Sequence, residues 1–99
     1  MLEKQNKVGA TVLRDFLREC NEHVDFESFT KDQLADTLQR FYMSARTRKG
    51  EYYRSKSLST IRYAINRFLQ APPNNRDFDI INDPEFKKAN DAFRLAMRG

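Results

Sequence analysis

The chain has 99 residues, 39% apolar and 12% aromatic, with 18 Lys and Arg against 14 Asp and Glu for a net charge of +4. That length allows one compact domain of about 13 Å radius of gyration and leaves little room for a cleft between domains. A mean hydropathy of −0.81, the lack of any apolar run near the roughly 20 residues that span a bilayer, and a start (Met1-Leu2-Glu3-Lys4) without the apolar stretch of a signal peptide exclude an apolar-helix membrane protein and predict a soluble, globular, non-secreted module.

Between Val8 and Val24 the apolar residues Val8, Val12, Leu13, Phe16, Leu17, Cys20 and Val24 recur at steps of three and four, which predicts a first helix over about residues 4–23. Cys20 lies within that stripe and reads as a small packed hydrophobe rather than a nucleophile. As the sole cysteine it cannot form an internal disulfide, which favours a reducing compartment. Lys7, Thr11, Arg14 and Arg18 fall on the opposite, solvated face. The second helix, over about residues 30–46, has a marked start. Thr30 can cap the backbone N–H groups while Gln33 reaches back, and Phe29 can staple onto Leu34. Leu34, Leu38, Phe41 and Ala45 then face inward, Asp32 suits the helix dipole, and the periodicity stops before Gly50.

A third helix, over about residues 56–70, can be capped by Ser55 or Ser57, and it turns Leu58, Ile61, Ile65, Phe68 and Leu69 inward until Pro72-Pro73 forbids continuation. Lys56, Ser59, Thr60, Tyr63 and Arg67 lie on its other side, a cationic, hydroxyl-rich face without a carboxylate. The turn-rich connector from Gln70 to Asp77 leads to Phe78-Asp79-Ile80-Ile81, an extended stretch that tucks Phe78 and Ile80 inward. Asp83-Pro84-Glu85 supplies an N-cap, a first-turn proline and an acidic first turn for a fourth helix over about residues 84–97, with Phe86, Ala89, Phe93, Ala96 and Met97 inward. These elements predict an all-α fold, a compact four-helix domain. The last helix is still periodic at Arg98-Gly99, which predicts a domain cut from a larger protein.

Catalysis is poorly served. His23 sits in a polar stretch with no nucleophile beside it and reads as a surface residue, no Cys and His set can hold zinc, and no Gly-rich loop cradles phosphate. Glu19, Glu22, Asp25 and Glu27 match no calcium loop and read as a solvated acidic edge. No enzyme activity, metal, cofactor or small-molecule substrate is expected. The charge distribution says more. Residues 1–45 carry a net −2, residues 68–99 are neutral, and residues 46–67 carry +6 from Arg46, Arg48, Lys49, Arg54, Lys56, Arg62 and Arg67 against Glu51 alone. Joined by Ser57, Ser59, Thr60 and Tyr63 and by a helix N-terminus, these cations form a candidate phosphate-binding surface. Six phosphate contacts would give log K against log[salt] a slope of about −5. Charge alone leaves a solvated face or an acidic protein partner equally open.

Three stretches carry a family resemblance. They run from Leu38 to Tyr53, with Lys49-Gly50-Glu51-Tyr52-Tyr53 at its end, from Ser57 to Leu69 (Ser57-Leu58-Ser59-Thr60-Ile61-Arg62 at its start), and from Asn75-Arg76-Asp77-Phe78-Asp79-Ile80 through Ile81-Asn82-Asp83-Pro84-Glu85-Phe86. Together they resemble the N-terminal part of Crypton-type tyrosine recombinases and their domesticated vertebrate relatives, among them the zinc-finger MYM-type and glutamine-rich transcription-associated proteins. The likeness covers roughly residues 10–97.

The resemblance implies a SAM-like core-binding domain, the non-catalytic half of a tyrosine recombinase that clamps duplex DNA, with the first and third helices facing DNA. Lys7, Arg14 and Arg18 would then join Lys56, Ser59, Tyr63 and Arg67. The family's catalytic arginine–histidine–arginine set and tyrosine have no counterpart here, so Tyr42, Tyr52, Tyr53 and Tyr63 are not nucleophiles. Tyr52 and Tyr53 are expected to pack the turn against the core, and Arg76 and Asp79 to fix the connector.

The expectation is a nuclear DNA-binding module, with self-association or a nuclear protein partner arising through the full-length protein. The alternative is a protein-interaction module of a transcription or chromatin regulator. An RNA binder would need an exposed aromatic platform that the sequence does not offer.

Overall fold

The computed structural model describes the backbone of residues 2–47 and 49–98 and the side chains of residues 8–47 and 49–97. Four helices form the domain: α1 (Leu2–Glu19), α2 (Lys31–Ser44), α3 (Ser55–Gln70) and α4 (Lys87–Arg98), with one-turn 3-10 segments at Phe26–Ser28 and Pro84–Phe86. The all-α, four-helix expectation holds, at a radius of gyration of 12.4 Å. No described helix is long and apolar enough to cross a membrane. α1 packs on α3 and α2 packs on α4. Between the two pairs lie Leu13, Leu17, Leu34, Leu38, Phe41, Ile65, Leu69 and Phe86, all fully buried.

α1 and α3 meet at Gly9. A Cβ there would stand 2.7 Å from the Ala64 Cβ and 3.0 Å from the Ile65 backbone nitrogen, so only a glycine admits this approach. α1 ends earlier than its apolar stripe. Asn21 adopts φ 57°, the Glu22 N–H donates to the Leu17 carbonyl, and the Asn21 N–H donates to that of Arg18, a Schellman stop. Cys20 is therefore the residue at which the helix unwinds. Its side chain is exposed, not packed as its phase in the stripe predicts.

α2 starts as expected. The Gln33 N–H donates to Thr30 Oγ1 (3.1 Å) and the Thr30 N–H to Gln33 Oε1 (2.9 Å), a complete capping box. Phe41 meets Phe16 of α1 edge-on at 5.4 Å, and Tyr42 meets Phe93 of α4 in the same way at 5.4 Å. On the surface Arg40 binds Glu22 through two nitrogens and approaches Asp36, which also pairs with Lys88 of α4.

Two expected serine and aspartate caps are used elsewhere. The N-cap of α3 is Arg54, without a side-chain hydrogen bond, because the Ser55 hydroxyl donates instead to the Met97 carbonyl (3.3 Å). Asp83 does not cap the Pro84 turn with its side chain, because its carboxylate accepts from the Asp79 N–H (2.9 Å). Phe86, Ala89 and Phe93 are buried as predicted, but Met97 is exposed. The last turns of α4 border an open groove lined by Leu95 and Ala96 rather than another helix.

The connector after α3 has no regular structure from Asn75 to Asp79, yet Phe78 and Ile80 are buried as expected. A polar network holds it. Asn66 on α3 donates through Nδ2 to Asp79 Oδ1 (3.2 Å) and accepts from the Ile80 N–H (3.1 Å). Asn90 on α4 donates to the carbonyls of Ile80 and Ile81. Arg76 donates to the Glu27 carbonyl (2.6 Å) and lies over the Phe78 ring. As expected, Arg76 and Asp79 are structural.

Partial burial raises the Asp79 carboxyl pKa, but hydrogen bonds from the Asn82 amide, the Ile81 and Asn82 N–H groups and Asn66 together outweigh it and hold the group below its ordinary value of 3.8. A carboxyl with a lower folded pKa contributes stability that is complete above its unfolded value and is lost as pH falls through the folded one. Asp79→Asn is thus expected to lower stability at about pH 7 and to flatten the loss as pH falls below about 4, read by urea unfolding at each pH.

Gly9→Ala is expected to cost about 1–3 kcal/mol by overpacking, despite the roughly 1 kcal/mol alanine gains inside a helix. The urea midpoint at constant slope measures it, and Ala64→Gly in the same chain is expected to restore part of the loss.

Candidate nucleic-acid interface

The basic segment opens in a tight reversal. Arg46 and Tyr52 form an isolated antiparallel bridge, the Thr47 N–H donates to the Glu51 carbonyl (2.7 Å) and the Gly50 N–H to that of Thr47 (2.9 Å). Gly50 takes φ 83°, a value that favours glycine. The Arg46 guanidinium lies 4.4 Å from the Tyr52 ring centroid and donates to the Gly50 carbonyl and the Tyr52 hydroxyl. It thereby organises the turn while remaining exposed. Tyr52 is itself 62% exposed, so it packs against Arg46 and not into the core. Tyr53 is half-buried against the core. Lys49 projects from the turn into solvent. Arg48 and the Lys7 side chain lie outside the described residues.

α3 then begins at Ser55 with three first-turn N–H groups and no side-chain cap, the positive end of its dipole. Arg54, Lys56 and Ser57 surround that end and are exposed. From Lys56 the steps of four, three and four to Thr60, Tyr63 and Arg67 keep these exposed residues on one stripe about 16 Å long. Ser59 is half-buried at its margin. Thr60 donates its hydroxyl to the Lys56 carbonyl (3.0 Å) and keeps only acceptor capacity outward.

Arg62 leaves this surface. It is 9% exposed, donates through Nη2 to Asn90 Oδ1 at 2.6 Å, and lies 4.3 Å from the Phe93 ring centroid. The Tyr42 hydroxyl faces the same guanidinium. Burial pushes that phenol well above its ordinary pKa, against the lowering effect of Arg62. The signal was present in the sequence, since Arg62 lies four residues after Leu58 and three before Ile65, inside the apolar stripe.

Arg14 and Arg18, the described cations of α1, are both engaged by carboxylates. Arg14 pairs with Glu27 at 2.8 Å and lies 5.3 and 5.4 Å from the Phe26 and Phe68 ring centroids, so neither it nor Glu27 sits on a solvated face. Arg18 is exposed but paired with Asp15 at 2.8 Å. His23 is exposed, as expected.

Pairing separates the surface cations into two sets. Arg14, Arg18, Arg40, Lys87, Lys88 and Arg94 each have a carboxylate within 4 Å. Lys31 and Arg76 lie over the Phe78 ring. Among the described residues, Arg46, Lys49, Arg54, Lys56 and Arg67 form no ion pair, and all five are exposed. They are gathered on the 46–54 turn and the outer face of α3. Such a surface can take up several phosphate groups with little competition from the protein's own carboxylates. Comparisons with protein-family models, curated proteins and solved structures returned no match.

Arg62 and Lys56 lie six residues apart on one helix and are predicted to behave oppositely. Arg62→Ala, which empties a buried hydrogen-bonded site, is expected to cost about 2–4 kcal/mol in chemical unfolding, and Lys56→Ala to stay within about 0.5 kcal/mol.

Proposed function

We propose that this domain binds duplex DNA through the phosphate backbone and catalyses no reaction itself. The observation that carries the reading is the set of five exposed, carboxylate-free cations, Arg46, Lys49, Arg54, Lys56 and Arg67, on one turn and one helix face. The α3 N-terminus adds backbone donors, and Ser57 and Tyr63 add side-chain donors that point outward beside them. On this reading the domain is the DNA-gripping, SAM-like core-binding part of a tyrosine-recombinase-like protein acting in the nucleus. The resemblance of the three motif stretches supports that narrower placement, with DNA meeting α3 and the turn before it rather than the paired cations of α1.

Fluorescence anisotropy with a labelled duplex tests it. Five phosphate contacts predict that log K falls with log[salt] at a slope of about −4.5, and removing two of them in Lys56→Glu/Arg67→Glu predicts a slope nearer about −2.7 and much weaker binding at low salt. Unchanged affinity in that folded variant, or no duplex binding at low salt, overturns the proposal.

A further inference from the structure

An open groove of about 590 Å³ lies between the end of α2, the start of α3 and the last turns of α4. Met43, Tyr52 and Leu95 line it at 52%, 62% and 56% exposure, three of the six large apolar side chains exposed among the described residues. Apolar surface gathered in a concavity marks a binding site. Its electrostatics are one-signed. Among the described residues the only charged side chain in the lining is Arg54, and beside it Ser55 opens α3, whose first-turn amides carry no side-chain cap. A second groove of about 390 Å³ on the other side of the same turn is lined by Asp15 and Glu19 as well as Arg46 and lacks that sign. Among the described residues no sheet edge is on offer beyond the single Arg46–Tyr52 bridge, so an added strand has nothing to extend.

We propose that the groove docks an amphipathic helix of a protein partner. Its apolar side chains, at steps of three and four, would cover Met43, Tyr52 and Leu95, and a carboxylate on its flank would meet Arg54 and the α3 N-terminus. This docking shares Arg54 and the α3 N-terminus with the DNA reading, whereas its apolar contacts with Met43, Tyr52 and Leu95 are its own, and those separate the two in a test.

The test is selection from a displayed library of helical peptides with apolar residues fixed at i, i+3/i+4 and i+7 and the flanking positions randomised, followed by anisotropy on the recovered peptides. The expected result is enrichment of Asp and Glu on one flank and binding weakened about tenfold or more by Leu95→Glu. Met43→Lys is expected to act likewise, Arg54→Gln to cost a few-fold, and Lys56→Glu/Arg67→Glu to change little. Leu95 and Met43 are exposed, so these variants keep the fold, which circular dichroism checks. No enrichment, enrichment without acidic bias, or binding indifferent to Leu95→Glu overturns the proposal. So does sedimentation showing that the groove is filled by a second copy of the chain in a dimer that Leu95→Glu dissolves.

Discussion

Arg62 reaches into the interior with no carboxylate to meet it, and the arrangement of the C-terminal half of the chain depends on how that charge is accommodated. Asn90 accepts from it and the Phe93 ring supplies its negative face. Asn90 is thereby oriented so that its amide nitrogen reaches the Ile80 and Ile81 carbonyls. Those carbonyls belong to a connector of turns and irregular backbone, so α3, the connector and α4 are held as one unit. The same unit keeps Phe78, Ile80 and Phe86 under the helix pairs.

The fold draws on most of the remaining cations as well. Arg14 ties α1 to the Phe26–Ser28 turn, Arg76 ties the connector to the same turn, and Arg40 and Lys88 join the loop after α1, α2 and α4 through Glu22 and Asp36. Among the described residues the positive charge left without an ion pair or ring partner in the core lies on the 46–54 turn and α3, at the end of a helix dipole of the same sign. A net charge of +4 dispersed among ion pairs would carry no functional meaning. Concentrated on one exposed turn and one helix face, it makes a surface suited to a polyanion.

The three motif stretches take on a structural sense. Arg62 and Asn66 from the second stretch and Arg76, Asp79 and Asp83 from the third are members of the polar network that holds the connector, together with Asn90 outside the stretches. Their side chains specify the connector and the packing of α3 on α4, while the candidate interface takes Arg46, Lys49 and Arg67 from the first two stretches and Arg54 and Lys56 from between them. A likeness carried by such residues bears on architecture first, and the binding surface has its own physical argument in exposure and unpaired charge.

The amino-acid order alone determined whatever depends on neighbours within one or two helical turns. Periodicity marked four helices, Thr30 and Gln33 marked the start of α2, the Phe78 and Ile80 alternation was read correctly, and the segment of excess charge was plain. Tertiary structure decided which polar groups were consumed. Arg14 reaches Glu27 across 13 residues, Arg62 reaches Asn90 across 28, Ser55 reaches Met97 across 42 and Arg76 reaches Glu27 across 49. A side chain's charge and phase are local properties, but whether its donors face water or a partner is settled by elements far along the chain. For that reason Arg62, Arg14 and Ser55 left the predicted surface or cap, Cys20 left the predicted core, and Lys56 and Arg67 stayed where their phase put them.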